Sequence, residues 1–115
     1  MIKRFVILRR RSGMSKGAFR AYWRDVHGPL IAAIPGVRKY VQFHVDSEIN
    51  PEEDEPIDGI AELWFDSKEA QVEAWSSPQY AFAVADEPNL FDSSSRSIHP
   101  VMEIETVILV PEGGL

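Results

Sequence analysis

Phe19-Arg20-Ala21-Tyr22-Trp23-Arg24-Asp25-Val26-His27-Gly28-Pro29-Leu30-Ile31-Ala32-Ala33-Ile34-Pro35-Gly36-Val37-Arg38-Lys39-Tyr40 is the segment around which the rest of the chain can be placed. Phe19, Tyr22, Trp23 and Val26 recur at the spacing that puts four side chains on one helical face. The pattern predicts a helix from an N-cap at Ser15 to about His27, closed by Gly28-Pro29, since glycine permits a left-handed stop and proline lacks the ladder N–H. His27 then falls in the last turn, where the dipole favours a protonated imidazole. Two readings follow: a ring that bonds the last carbonyls, or a titratable group at the edge of an apolar region and so an acid–base candidate. Local features alone favour the first, because polar side chains commonly close helices. Pro29 can open a further turn over Leu30 to Ile34, and Pro35-Gly36 breaks the chain.

Working outward, Lys3 to Arg10 reads as a strand apolar on both faces. Val37 to Ser47 alternates, with Val37, Lys39, Val41, Phe43 and Val45 on one face and Arg38, Tyr40, Gln42, His44 and Asp46 on the other. Ile57 to Phe65 sets Ile60, Glu62 and Trp64 against Ala61, Leu63 and Phe65. Asp66 and Glu69 suit a capping box for a helix over Ser67 to Trp75. Pro78 suits the first position of another helix, which carries Tyr80, Phe82 and Val84. Glu48 to Pro56 reads as an exposed acidic loop, Asn89 to Pro100 as an irregular loop, and Val101 to Val110 as the last strand. Strand, helix, strand, strand, helix, strand is the ferredoxin-like α+β order, a four-stranded antiparallel sheet with helices on one face. The face with Val37, Val41, Phe43 and Val45 would then be left bare, and a twofold-related second copy, sheet against sheet, would cover it.

The 115 residues suit one domain over 1–115, and a hydrophobic content of 44% is enough for a core. The net charge of −6 argues against nucleic acid as partner, since phosphate binding needs a basic face. With no cysteine, thiolate chemistry and disulfides are excluded. No apolar run approaches a membrane span, and the apolar start is too short for a signal peptide, so a cytoplasmic setting is expected. His27, His44 and His99 match no metal-ligand spacing, so no metal is expected, and no glycine-rich phosphate loop is present.

Met14-Ser15 leading to Phe19, Tyr22-Trp23 with Val26-His27-Gly28-Pro29-Leu30, Pro35-Gly36-Val37 with Tyr40, and Asp58-Gly59-Ile60-Ala61-Glu62-Leu63-Trp64-Phe65 together resemble the EthD family of the dimeric α+β barrel superfamily, from Met1 to about Val110. That family takes its name from a gene cluster for ethyl tert-butyl ether degradation. Related members include a methylmuconolactone methylisomerase and fungal polyketide decarboxylases or dehydratases. The resemblance implies a ferredoxin-like protomer, a barrel-forming homodimer, a pocket between helices and sheet, and chemistry without metal or organic cofactor. It places His27 where methylisomerase-like members have a pocket histidine and Tyr40 where they have a pocket tyrosine. Leu63 falls where the methylisomerase has a cysteine, a departure that speaks against that particular isomerisation.

On this basis the catalytic candidates are His27, as general acid or base, and Tyr40, which would orient or polarise a substrate oxygen. Phe19, Trp23, Leu63, Phe65 and Phe82 are the expected apolar walls. Gln42 and His44 share the face of Tyr40 and either join the pocket or sit at the wet end of the strand. Glu62, among apolar neighbours, calls for a partner, with Arg38, Lys39 or a dimer mate as the preferred candidates and a general acid or base of raised pKa as the alternative. Two functions fit: a cofactor-independent isomerase, cyclase, dehydratase or decarboxylase acting on a small hydrophobic cyclic compound, or a non-catalytic small-molecule-binding or accessory protein.

Overall fold

A computed structural model describes residues 1–45, 57–92, 97–101 and 107–111. The elements are β1 (Ile2–Leu8), α1 (Lys16–Tyr22), a π-helical turn (Trp23–His27), α2 (Gly28–Ala32), β2 (Lys39–His44), β3 (Gly59–Phe65), α3 (Lys68–Trp75), α4 (Pro78–Asp86), a 3-10 turn (Glu87–Asn89) and β4 (Ser97–Val101). The strands pair in the order β2-β3-β1-β4, every pair antiparallel. That order splits β1 from β2 by one strand, the ferredoxin-like α+β arrangement.

The helices start where side chains can cap them. The hydroxyls of Ser15, Ser67 and Ser77 accept from the backbone N–H three residues on and open α1, α3 and α4. Ser67, not Asp66, caps α3; Asp66 instead receives the guanidinium of Arg38 at 2.8 Å.

The end expected at His27 is absent. Gly28 keeps right-handed helical angles, and its N–H reaches back five residues to the Trp23 carbonyl. One widened turn absorbs Pro29, which brings no N–H and needs space for its ring, so α1 runs through the π turn into α2. His27 therefore lies mid-helix, and the helix-terminus argument for its charge does not apply.

Alternation sorts the sheet. In β3 the side chains of Ala61, Leu63 and Phe65 are buried under the helices, while Ile60, Glu62 and Trp64 face outward. Register extends that outer face in three rows: Phe43, Ile60 and Ile7; Val41, Glu62 and Phe5; Lys39, Trp64 and Lys3. Glu62 pairs with Lys3 at 4.0 Å, not with Arg38 or Lys39, and the Lys3 ammonium also lies 4.0 Å from the centre of the Trp64 ring. Val37 precedes β2 and packs against the core, so it does not belong to that outer face. The last strand begins earlier than expected, at Ser97, because β1 pairs with it there, and Val107 to Val110 are exposed and carry no regular structure. The acidic loop at 48–56 lies outside the described residues.

Trp23 ties the helices to the sheet. It is buried against Phe19 and lies over the start of β3, where a Cβ on Gly59 would stand 2.5 Å from the indole. Asp58, just before it, is buried and accepts from the Arg10 backbone N–H and guanidinium at 2.8 and 2.7 Å. The Asp-Gly pair is thus a structural clasp between β1, β3 and Trp23. Gly59→Ala is expected to lower stability by about 1–3 kcal/mol, the usual cost of overpacking a filled core. Urea unfolding measures it, and a change below about 0.5 kcal/mol would mean that Trp23 moves freely.

Candidate functional site

A small cavity of about 50 Å³ lies between the helices and the sheet. Its wall is largely apolar, with Trp23, Ile31, Leu63, Ala83 and Phe91 prominent, and the polar groups that reach it include His27, Tyr40 and Glu87. They come from the π turn, β2 and the 3-10 turn, three elements far apart in the chain.

His27 is only 4% exposed. Its Nδ1 is 3.0 Å from Asp86 Oδ2, and its ring meets Phe91 edge-on at 6.1 Å between centroids. Asp86, at the end of α4, also accepts from the Tyr22 hydroxyl at 2.5 Å and from Asn89 Nδ2 at 2.9 Å. A carboxylate with donors on both oxygens is locked in place, and it locks the imidazole in turn. Burial pushes the Asp86 carboxyl up, but the bonds from Tyr22, Asn89 and His27 outweigh it and hold the group below its ordinary range. The same Asp86 bond is the main cause that raises the Tyr22 phenol.

A carboxyl depressed in the folded protein contributes stability that is present above its unfolded value, about 4, and is lost as pH falls through the folded one. Asp86→Asn is expected to flatten the acid limb of stability against pH, read by urea unfolding between about pH 2 and 6. An acid limb identical to wild type would show that Asp86 is not coupled to folding.

Tyr40 is partly buried, and burial raises its phenol despite the bond it accepts from Gln42. Gln42 and His44 do not reach the cavity wall; they stand behind Tyr40 on the same strand face. Both are half-buried and hydrogen-bonded within the protein. The Gln42 Nε2 donates to the Tyr40 oxygen and to the Trp23 carbonyl, each at 2.9 Å, and the His44 ring lies 4.7 Å from the Trp23 ring.

Of the expected apolar walls, Trp23 and Leu63 line the cavity. Phe19 and Phe65 are fully buried one layer away, Phe19 against Trp23 and Phe65 edge-on to Trp75. Phe82 is 66% exposed: the inward face of α4 carries Tyr80, Ala83, Val84 and Glu87, a helical spacing that turns residue 82 to solvent.

Asp86, Tyr22 and Glu87 are the groups that sequence reasoning missed. Tyr22 passed as one more member of the apolar stripe. Asp86 and Glu87 drew no reading of their own, and only their position three and four residues after Ala83, on the side of Tyr80, hints that they turn inward. Glu87 is 6% exposed, a carboxyl set in an apolar wall. Among the described residues no cluster of His, Asp and Glu could hold a metal ion. None of the described helices is long and apolar enough to cross a membrane.

The fold and this helix–sheet cavity are those of a ferredoxin-like α+β protein. The chain belongs to the EthD domain family, which it matches over residues 11–94. It is similar in structure to an EthD family protein from Bacillus halodurans, with a TM-score of 0.71 and 19% identity over 90% of this chain and 100% of that one. A dimeric ferredoxin-like protein from Bacteroides fragilis superposes with a TM-score of 0.62 at 17% identity, over 87% of this chain and 93% of that one. SnoaB from Streptomyces nogalater, described as a cofactor-independent oxygenase, does so with a TM-score of 0.59 at 12% identity, over 91% and 96% of the two chains. No curated protein sequence matches the chain.

Proposed function

We propose that this chain is an acid–base enzyme that moves a proton on a small hydrophobic cyclic compound, without metal or organic cofactor, and that it works as a homodimer. The observation that carries the proposal is the His27–Asp86 pair at 3.0 Å, buried against an apolar cavity. An imidazole whose Nδ1 is bound to a carboxylate is held in one tautomer and one orientation, and proton exchange with a bound compound would run through Nε2. Tyr40, on the facing strand, would polarise the oxygen on which charge develops. Isomerisation, cyclisation, dehydration and decarboxylation all need that pair of roles. Chemistry without a cofactor accords with the description of SnoaB, and a homodimer with that of the Bacteroides fragilis protein.

The homodimer would form through the outer sheet face. Phe43 there is 49% exposed, beside Ile60 and Val41. A second copy would cover this face, which on one protomer leaves a large aromatic in water.

The test is proton exchange. Small cyclic ketones and lactones are incubated with the protein in deuterated buffer, and deuterium entering beside the carbonyl is followed by NMR. Exchange above the buffer rate, lost in His27→Asn, supports the enzyme. Saturable binding without exchange supports the second reading, a non-catalytic binding protein. That reading draws on the largely apolar wall of the cavity, which can take a small hydrophobic molecule without any chemistry.

A further inference from the structure

The carboxamide of Gln42 has no freedom left. The Trp23 carbonyl can only accept, so the group 2.9 Å from it must be the Gln42 nitrogen, which also donates to the Tyr40 oxygen. The Gln42 oxygen is then the atom 3.1 Å from His44 Nε2, and only an Nε2–H can satisfy it. The neutral ring so defined keeps its lone pair on Nδ1, which is buried without a hydrogen-bond partner. An orphaned N–H at that place would be the rarer arrangement. Burial, with the charges of Arg20 and Arg24, holds His44 below its ordinary range and so neutral.

The consequence passes to Tyr40. Its oxygen accepts from Gln42, so its single proton has to be offered in another direction, and Tyr40 lines the cavity. A hydroxyl that accepts one bond donates the next more strongly. The backbone is shaped for this arrangement. The π turn delivers the Trp23 carbonyl, and a Cβ on Gly28 would stand 2.8 Å from Gln42 Nε2, so a larger residue there would displace the amide.

We propose that Gln42 is a positioning residue that makes the Tyr40 hydroxyl a fixed hydrogen-bond donor to the cavity, and that the site selects cyclic compounds carrying a carbonyl oxygen. The ligand class rests on the reading of the cavity given above; the Tyr40–Gln42–His44 relay does not.

Two measurements separate the parts. In the unliganded protein at pH 7, nitrogen-15 NMR of the three labelled histidines is expected to show His44 as the neutral Nε2–H tautomer. The Nδ1–H tautomer or a protonated ring overturns the relay. The second measurement compares cyclopentanone with its hydrocarbon isostere, methylenecyclopentane, by the shifts they induce in labelled His27 and Tyr40. The ratio of their dissociation constants cancels the shared apolar contribution. Wild type is expected to favour the ketone by about 10-fold more than Tyr40→Phe or Gln42→Met does, the value of one neutral hydrogen bond. An unchanged ratio in Gln42→Met overturns the positioning role. An unchanged ratio in Tyr40→Phe overturns the ligand class while leaving the cavity intact as a site. If neither probe binds, the ligand class falls together with the reading of the cavity, and the tautomer still judges the relay. Should Gln42→Met fail to fold, Tyr40→Phe and the wild-type tautomer decide.

Discussion

His27→Asn is expected to lower enzyme-catalysed proton exchange by at least about 100-fold, the low end of what a positioned acid–base group contributes. Asparagine keeps a donor that can reach Asp86, so the clasp with α4 is largely retained while the titratable ring is removed. The fold should survive, and far-UV circular dichroism and the melting temperature check that it does. Asp86→Asn keeps the imidazole but frees its Nδ1, and should cost less than removal of the ring. Tyr22→Phe removes one donor from Asp86 and should cost less again, because Asn89 still holds the same oxygen. That gradation is the useful part. A merely structural pair would show losses of stability without an ordered loss of exchange. Exchange that is unchanged in His27→Asn would end the catalytic assignment, whatever binds in the cavity.

Phe43→Asp is expected to dissociate the proposed homodimer while leaving the protomer folded. Phe43 is 49% exposed on β2 and contributes little to the core of its own chain. Its row continues through Ile60 and Ile7, so a second copy facing it would bury a continuous apolar strip. Truncating or charging a central aromatic at an interface costs about 2 kcal/mol or more, roughly a 30-fold rise in the dissociation constant. Sedimentation equilibrium across micromolar concentrations reads it. A wild-type protein that sediments as a monomer at those concentrations would remove the dimer, and a variant that dimerises as tightly as wild type would place the interface elsewhere.

The fold was legible because its signals are local. The Ser15 cap, Pro78 at the start of α4 and the alternation in β3 each depend on residues a few positions apart, and each appears where expected. The errors arose where distant residues override a local rule. Gly28-Pro29 reads as a helix stop, yet the Gln42 amide and a five-residue back-bond to Trp23 make a π turn worth keeping. Val101 to Val110 reads as a strand, yet pairing with β1 begins at Ser97. Phe82 has the composition of a pocket wall but the helical phase of a surface residue.

By itself the sequence determined the α+β order, the family, and the choice of His27 and Tyr40 as the polar residues to watch. The order is carried by periodicity, and the family and the two residues by the resemblance of short segments to a known family. The tertiary structure alone decided which groups surround those residues. It brought Asp86 to His27 across 59 residues and Tyr22 to the same carboxylate across 64. It also gave the Gln42 amide a direction, by setting it against a carbonyl 19 residues away. Hydrogen-bond partners at such separations leave no pattern in one sequence, because the geometry that joins them is set by the packing of helices on the sheet.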